Sequence, residues 1–182
     1  MKAAERLGTP RLLLRRPTAA DAESIFTRYA SDPEVTRYVA WPRHQSLADT
    51  NGFIAFSDLS WTADPAGPYL IFSRADGELL GSTGLAFESA DHVSTGYVLA
   101  QNAWGKGYAT EAAGAMITLS RSLALKHLHA LCHTLHRASA HVLEKSGFIR
   151  EAVLPRHTRF PNLNGGEVCD VFSYTRRLSD EV

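Results

Sequence analysis

Gly105 and Gly107 stand two residues apart, just before a segment whose pattern opens a helix near Thr110. Before them lies a strand-like run ending at Leu99. Glycine accepts backbone angles closed to other residues, and a helix start carries unpaired N–H groups and the positive end of the helix dipole. A strand, a glycine turn and a helix in that order can seat a phosphate against the main chain. The same passage also serves as a plain connection. It is not a Walker loop, because no G-x-x-x-x-G-K-[ST] occurs, and Thr110 breaks the dinucleotide G-x-G-x-x-G.

Other residues invite chemistry less directly. His127, His129, His133, His136 and His141 cluster in the sequence, and an imidazole titrates in the useful range. His127 and His129 share a strand face as H-x-H ligands do, but no carboxylate or cysteine completes a metal spacing, so no metal is expected. Cys132 and Cys169 are far apart, form no CxxC, and have no obvious activating base beside them. They are expected as reduced thiols rather than nucleophiles. Ser139 falls at the start of a helical stretch, where serine readily bonds the backbone.

These residues need a frame. The chain has 182 residues, 45% hydrophobic and 21% charged, which predicts one domain with a real core. Lys plus Arg and Asp plus Glu number 19 each, so no basic excess supports nucleic acid as a direct partner. No apolar run reaches membrane-span length and no signal-peptide pattern appears, so the cytoplasm is expected, with no membrane partner.

Residues 1–8 read as a flexible tail, and residues 9–178 as the domain. Arg11–Arg16 reads as a strand ended by Pro17. Thr18 and Asp21 make a near capping box for a helix over 18–30, with Ala22, Ile25, Phe26 and Tyr29 at helical spacing. A short helical piece is expected over Pro33–Tyr38. A third helix is expected over Leu47–Trp61, with Phe53, Phe56 and Leu59 as its apolar positions. Tyr69–Arg74, Glu78–Glu88 and Val93–Ala100 read as an antiparallel meander, with a hairpin turn at Ala75-Asp76-Gly77 and a bulge near Gly81 or Gly84. The helix after the glycine turn places Ala112, Met116, Leu119 and Leu123 on one face. Leu128–His133 follows as a strand in a parallel crossover. A helix over 138–146 closes on Gly147, and strands over Phe148–Leu154 and Val168–Arg177 end the fold, joined by the loop Arg156–Gly166.

Trp104-Gly105-Lys106-Gly107-Tyr108-Ala109-Thr110-Glu111 resembles the acyl-CoA-binding motif of the GNAT superfamily of N-acetyltransferases. Thr95-Gly96-Tyr97-Val98-Leu99 resembles the strand before that motif. Ala138 to Phe148 resembles the family helix N-x-A-S-x-x-V-L-x-K-x-G-F. The likeness is greatest to the branch of ribosomal-protein alanine and serine N-acetyltransferases (RimJ/RimL type), where Trp also stands at the position of Trp104. It runs from about Thr9 to Arg177.

The resemblance implies an α+β fold: a mixed, mostly antiparallel sheet of about seven strands, splayed between the fourth and fifth and flanked by helices. It implies direct transfer of acetyl from acetyl-CoA to a protein N-terminal α-amine or a small amine, in a ternary complex that a homodimer could also house. The pyrophosphate would meet the amides of Gly105, Lys106, Gly107, Tyr108, Ala109 and Thr110. The pantetheine arm would pair with Val98 and Leu99, and Lys145 would approach the nucleotide. Ser139 would sit by the sulfur. Trp41, Arg43 and Phe160 would border the acceptor. The chain departs from the pattern at His136, where the family has Asn, and at Ser94 and Thr158, where relatives carry glutamate. His136, His157 and Glu88 are therefore the alternative bases. These absent carboxylates also motivate a second reading, an acyl-CoA-binding module or sensor without turnover. An α-amine, with a pKa of about 7.7–8.0, needs less help from a base than a lysine at about 10.4.

Overall fold

The computed structural model describes residues 2–89 and 92–178. Eight strands form one sheet in the order β1-β2-β3-β4-β5-β6-β8-β7. They are β1 (Arg6–Gly8), β2 (Leu12–Arg15), β3 (Pro68–Ser73), β4 (Leu79–Phe87), β5 (Val93–Leu99), β6 (His127–His133), β7 (Ile149–Arg159) and β8 (Val168–Arg177). All neighbours are antiparallel except β5 and β6. The α+β expectation holds, with eight strands rather than about seven.

The additional strand is β1, which corrects the expected tail. Arg6, Leu7 and Gly8 pair with Arg15, Leu14 and Leu13, so backbone groups that a tail would leave to water join the ladder. Lys2 Nζ also donates to the carbonyls of Trp61, Thr62 and Asp64, cations at the C-terminal end of a helix being favourable. Met1 lies outside the described residues.

Four helices cover the sheet: α1 (Ala22–Ile25), α2 (Leu47–Ala63), α3 (Tyr108–Ser122) and α4 (Arg137–Lys145). α1 follows a 3-10 turn at Ala19–Asp21 and runs into a π turn at Phe26–Ala30. Asp21 accepts from the Thr18 backbone and hydroxyl, and Arg15 grips the same carboxylate with both terminal nitrogens. Ile25, Tyr29, Ile54, Leu70 and Val98 form the core on that face. Leu12, Leu14, Met116, Leu119, Leu128 and Leu143 belong to the core on the other.

Three local expectations change. Residues 33–38 form turns rather than a helical piece, with Thr36 Oγ1 bonded back to Asp32 O. In α2 the buried positions are Thr50, Ile54, Ser57 and Trp61, spaced 4, 3 and 4; Phe56 and Leu59 are 58% and 70% exposed. Trp61 decides the face, because its indole donates to Pro68 O and packs edge-on against Tyr69. β7 runs on through a bulge to Arg159, so the loop before β8 is shorter than expected. The bulge predicted near Gly81 is present, where the β3–β4 register skips Leu80.

Candidate active site

β5 and β6 run parallel but pair only at Ser94 and His129. β4 keeps the other edge of β5 as far as Leu99, so past Ser94 the β6-facing edge of β5 has no strand partner. This is the expected splay. Val98 and Leu99 bury their side chains in opposite cores; the Val98 carbonyl faces Gly81 on β4, so of the two it is the Leu99 main chain that borders the gap.

Beyond β5 the chain turns through Gln101–Ala103, and the Trp104 indole donates to Leu99 O at 2.7 Å. Gly105 and Gly107 then take φ of 71° and 79°. For other residues this left-handed conformation costs about 1–2 kcal/mol each. Gly107 caps α3 without a side-chain bond. The first helical amide to close is Glu111, onto Gly107 O. Among the described residues, no acceptor of good geometry meets the N–H groups of Gly105, Lys106, Gly107, Tyr108, Ala109 or Thr110. Six consecutive free donors at a helix start form an anion cradle.

The cradle is braced from behind. Arg11 donates through Nη1 to Lys106 O and through N and Nε to the Glu111 carboxylate, and lies over the Tyr108 ring at 4.7 Å. Thr9 Oγ1 adds a 2.6 Å bond to Glu111. Burial pushes the Glu111 carboxyl up, but these donors outweigh it and hold it below the usual range. It is therefore ionised at neutral pH.

Across the gap, β6 leads into α4. Ser139, in the first turn, has its Oγ 3.0 Å from the Tyr97 hydroxyl. His136 caps the helix, and its ring stacks on Tyr38 at 4.8 Å. Tyr38 also meets His133, whose ring abuts Phe160 edge-on at 4.8 Å. His133 Nδ1 accepts from Leu135 N–H, which leaves its proton on Nε2. Burial lowers both histidine pKa values, and His133 lowers that of His136 further. Both rings are neutral at pH 7, and His136 has a lone pair to offer a proton. Cys132 is buried nearby; desolvation pushes its thiol up, away from nucleophilic use.

Asn162 ties the loop after β7 to residues 36–43. Its Oδ1 accepts from Arg43 N–H, and its Nδ2 donates to Thr36 O and Trp41 O. Trp41 rests against His44 beside this clamp. Asn162→Ala is expected to cost about 1–3 kcal/mol of stability. It should raise the acceptor KM several-fold while leaving CoA affinity within twofold, as read by denaturation and titration. Asn162, Tyr38 and Tyr97 were not assignable from sequence, because each acts through a contact with a remote segment. A Pro-Asn pair in a loop was the only local signal.

Two expected site residues, Glu88 and His157, stand away from Ser139 and His136, and Lys145 lies at the opposite end of α4 from Ser139. Glu88 lies in the β4–β5 turn, 3.6 Å from His92, at the end where β5 and β6 still pair. His157 is exposed on β7, its Nδ1 turned to its neighbour Thr158 rather than hydrogen-bonded to Ser139 or His136. Lys145 is exposed in the last turn of α4, about 9 Å along the helix from Ser139. Charged side chains at solvent-facing positions are held by nothing that sequence spacing records. His129 stacks on His92 and bonds Thr175 on the outer sheet face.

A sheet opened between parallel strands, with a main-chain cradle at the mouth, is the frame of a protein that lays an acyl donor along the gap. The family model of the acetyltransferase (GNAT) domain matches residues 11–149, and the chain belongs to that family. It is an N-acetyltransferase with acetyl-CoA as donor, so the reading as a mere binding module gives way. An uncharacterized N-acetyltransferase of Bacillus subtilis (strain 168), YoaA, is 30% identical over 83% of this chain and 86% of its own length. The ribosomal-protein-S5-alanine acetyltransferase of Vibrio fischeri superposes with a TM-score of 0.82 at 15% identity, over 96% of this chain and 97% of that one. RimL, the ribosomal L7/L12 alpha-N-protein acetyltransferase solved with coenzyme A, superposes with a TM-score of 0.85 at 20% identity, over 97% and 100%. No helix among the described residues is long and apolar enough to cross a membrane.

Proposed function

We propose that acetyl-CoA lies with its pyrophosphate against the amides of Gly105 to Thr110 and its pantetheine arm along the free edge of β5 at Val98 and Leu99. The acceptor amine enters between Tyr38, Trp41 and Phe160. Residues 2–178 work as one catalytic domain, in the cytoplasm that two free thiols suit. The observation that carries this reading is the run of six unpartnered amides at the mouth of the gap.

The chemistry is direct transfer. The neutral amine attacks the thioester carbonyl, and a C–N bond forms. The C–S bond breaks with its electron pair going to sulfur. His136 takes the proton that the amine nitrogen loses, and the Ser139 hydroxyl hydrogen-bonds the departing thiolate. A thiol of pKa about 8.5 leaves with that help alone. No carboxylate base stands among these groups, which favours an α-amine over a lysine side chain. The fold relative described as an alpha-N-protein acetyltransferase points the same way.

The test is thiol release from acetyl-CoA with peptides beginning in Ser or Ala, lysine side-chain amines and small amines. Release with the α-amines, at least about tenfold faster than with lysine, is expected from their different basicity. Absence of release with every acceptor, together with no CoA binding by calorimetry, overturns the assignment.

A further inference from the structure

We propose that Tyr97 is a positioning residue that aims the Ser139 proton at the thioester sulfur. The inference rests on the role given to Ser139 above. Tyr97 sits on β5, on the side of the strand that packs against the same core as α3 and α4. Its side chain crosses from β5 to the first turn of α4, at the level where the sheet has opened.

The tyrosine hydroxyl meets two oxygens of one residue. It lies 3.0 Å from the Ser139 carbonyl and 3.0 Å from the Ser139 Oγ. A serine in a helix commonly bonds back to a carbonyl one turn earlier. Among the described residues, Ser139 Oγ makes no such bond; its one strong partner is Tyr97. Cys132, on the neighbouring strand, gives its thiol proton to the carbonyls of His133 and His136, and its sulfur lies within reach of the Ser139 hydroxyl. Burial pushes the Tyr97 phenol well above its ordinary value, so at neutral pH the hydroxyl always carries a proton to donate.

Two arrangements share this geometry. At rest, Tyr97 donates to the Ser139 carbonyl and Ser139 donates to the Tyr97 oxygen. As charge develops on sulfur, a thiolate becomes the better acceptor, because bonds to a charged group are about twice as strong. The Ser139 proton then turns to sulfur, and the Tyr97 proton turns from the carbonyl to Oγ. Neither heavy atom moves, because both acceptors already lie at hydrogen-bond distance. No net proton leaves either hydroxyl: the C–S electron pair goes to sulfur, and the amine proton goes to His136. A donor set in advance for charge that appears only in the transition state raises kcat rather than binding.

The experiment is a double-mutant cycle on the intact protein, using acetyl-CoA and the amine that gives fastest thiol release in the panel above. Tyr97→Phe keeps the ring, and CoA titration verifies that the variant is folded. The expected result is a kcat lower by about 5- to 20-fold, with the acetyl-CoA KM within twofold. In the Ser139→Ala background the same change should alter kcat by less than about twofold. If Tyr97→Phe keeps the wild-type kcat while Ser139→Ala is slow, the role of Tyr97 is refuted and that of Ser139 stands. If Tyr97→Phe slows both backgrounds equally, the tyrosine acts through packing and the proposal fails. If Ser139→Ala itself keeps full rate, the underlying reading fails and takes this one with it.

Discussion

Gly107→Val is expected to weaken CoA binding by about 10- to 100-fold. A β-branched residue in the left-handed region costs about 1–2 kcal/mol by itself. At Gly107, with φ at 79°, the new Cβ would also stand 3.3 Å from Arg11 Nη2. The conformational cost and this tight approach together favour a rotated backbone, and rotation turns the amides of Gly107 and Tyr108 off the ligand. Arg11 has little freedom to yield, since the Lys106 carbonyl and Glu111 hold its head. Gly105→Ala provides the scale. Its Cβ would meet open space, so only the conformational cost at φ 71° applies, and a loss nearer fivefold is expected. Calorimetric titration with CoA measures both. An unchanged Kd for Gly107→Val would sink the cradle as the pyrophosphate site.

The second large effect concerns His136. Burial, with His133 close by, lowers its pKa below the ordinary histidine value. The base form is the deprotonated ring, so the rate must rise with pH through that lowered pKa. The midpoint of that rise should fall below the usual value of about 6.5. At neutral pH the deprotonated ring already predominates in the wild type. His136→Gln keeps a polar side chain but cannot take a proton, and should reduce kcat by about 10²-fold. The kcat/KM profile of the variant should also lose its acid limb. A variant that keeps the limb at the same pH assigns it to another group, and one that keeps the rate shows that the amine needs no base.

The two predictions draw on different depths of information. The glycines were legible as a turn because two of them stand so close before a helix start; their left-handed backbone is what the structure adds. The splay between Leu99 and the strand after α3 was legible only through family likeness, since pairing with an absent neighbour leaves no mark on composition. His136 was visible as a departure from the family helix, but its fitness as a base was not. The role proposed for it rests on its burial and on the ring of Tyr38, a residue about one hundred positions away. Glu88 and His157 looked equally suitable by type; position on the sheet separates them. Glu88 sits at the closed end of β5, and the bulge in β7 leaves His157 in solvent.

The face of α2 shows the same limit. Phe53, Phe56 and Leu59 were the natural apolar positions, yet Thr50, Ile54, Ser57 and Trp61 are the ones buried, and of the expected three only Phe53 packs against the core. No strong apolar stripe marks that helix, so the Trp61 bond to Pro68 and its contact with Tyr69 set its rotation. Residues 6–8 likewise carry no alternating pattern of their own. They become a strand because β2 offers an unpaired edge whose N–H and C=O groups need partners.

What the chain determined by itself is local: where helices start and stop, which glycines must turn, and the order of elements that makes a parallel crossover. These follow from backbone sterics and periodicity, which act between residues a few positions apart. Which hydroxyl meets Ser139, which histidine lies neutral beside it and which loop Asn162 clamps were decided by tertiary packing alone. Those contacts join segments from 42 to 126 positions apart. Hydrogen-bond geometry and desolvation depend on such meetings, and neither has a signature in the spacing of residues along the chain.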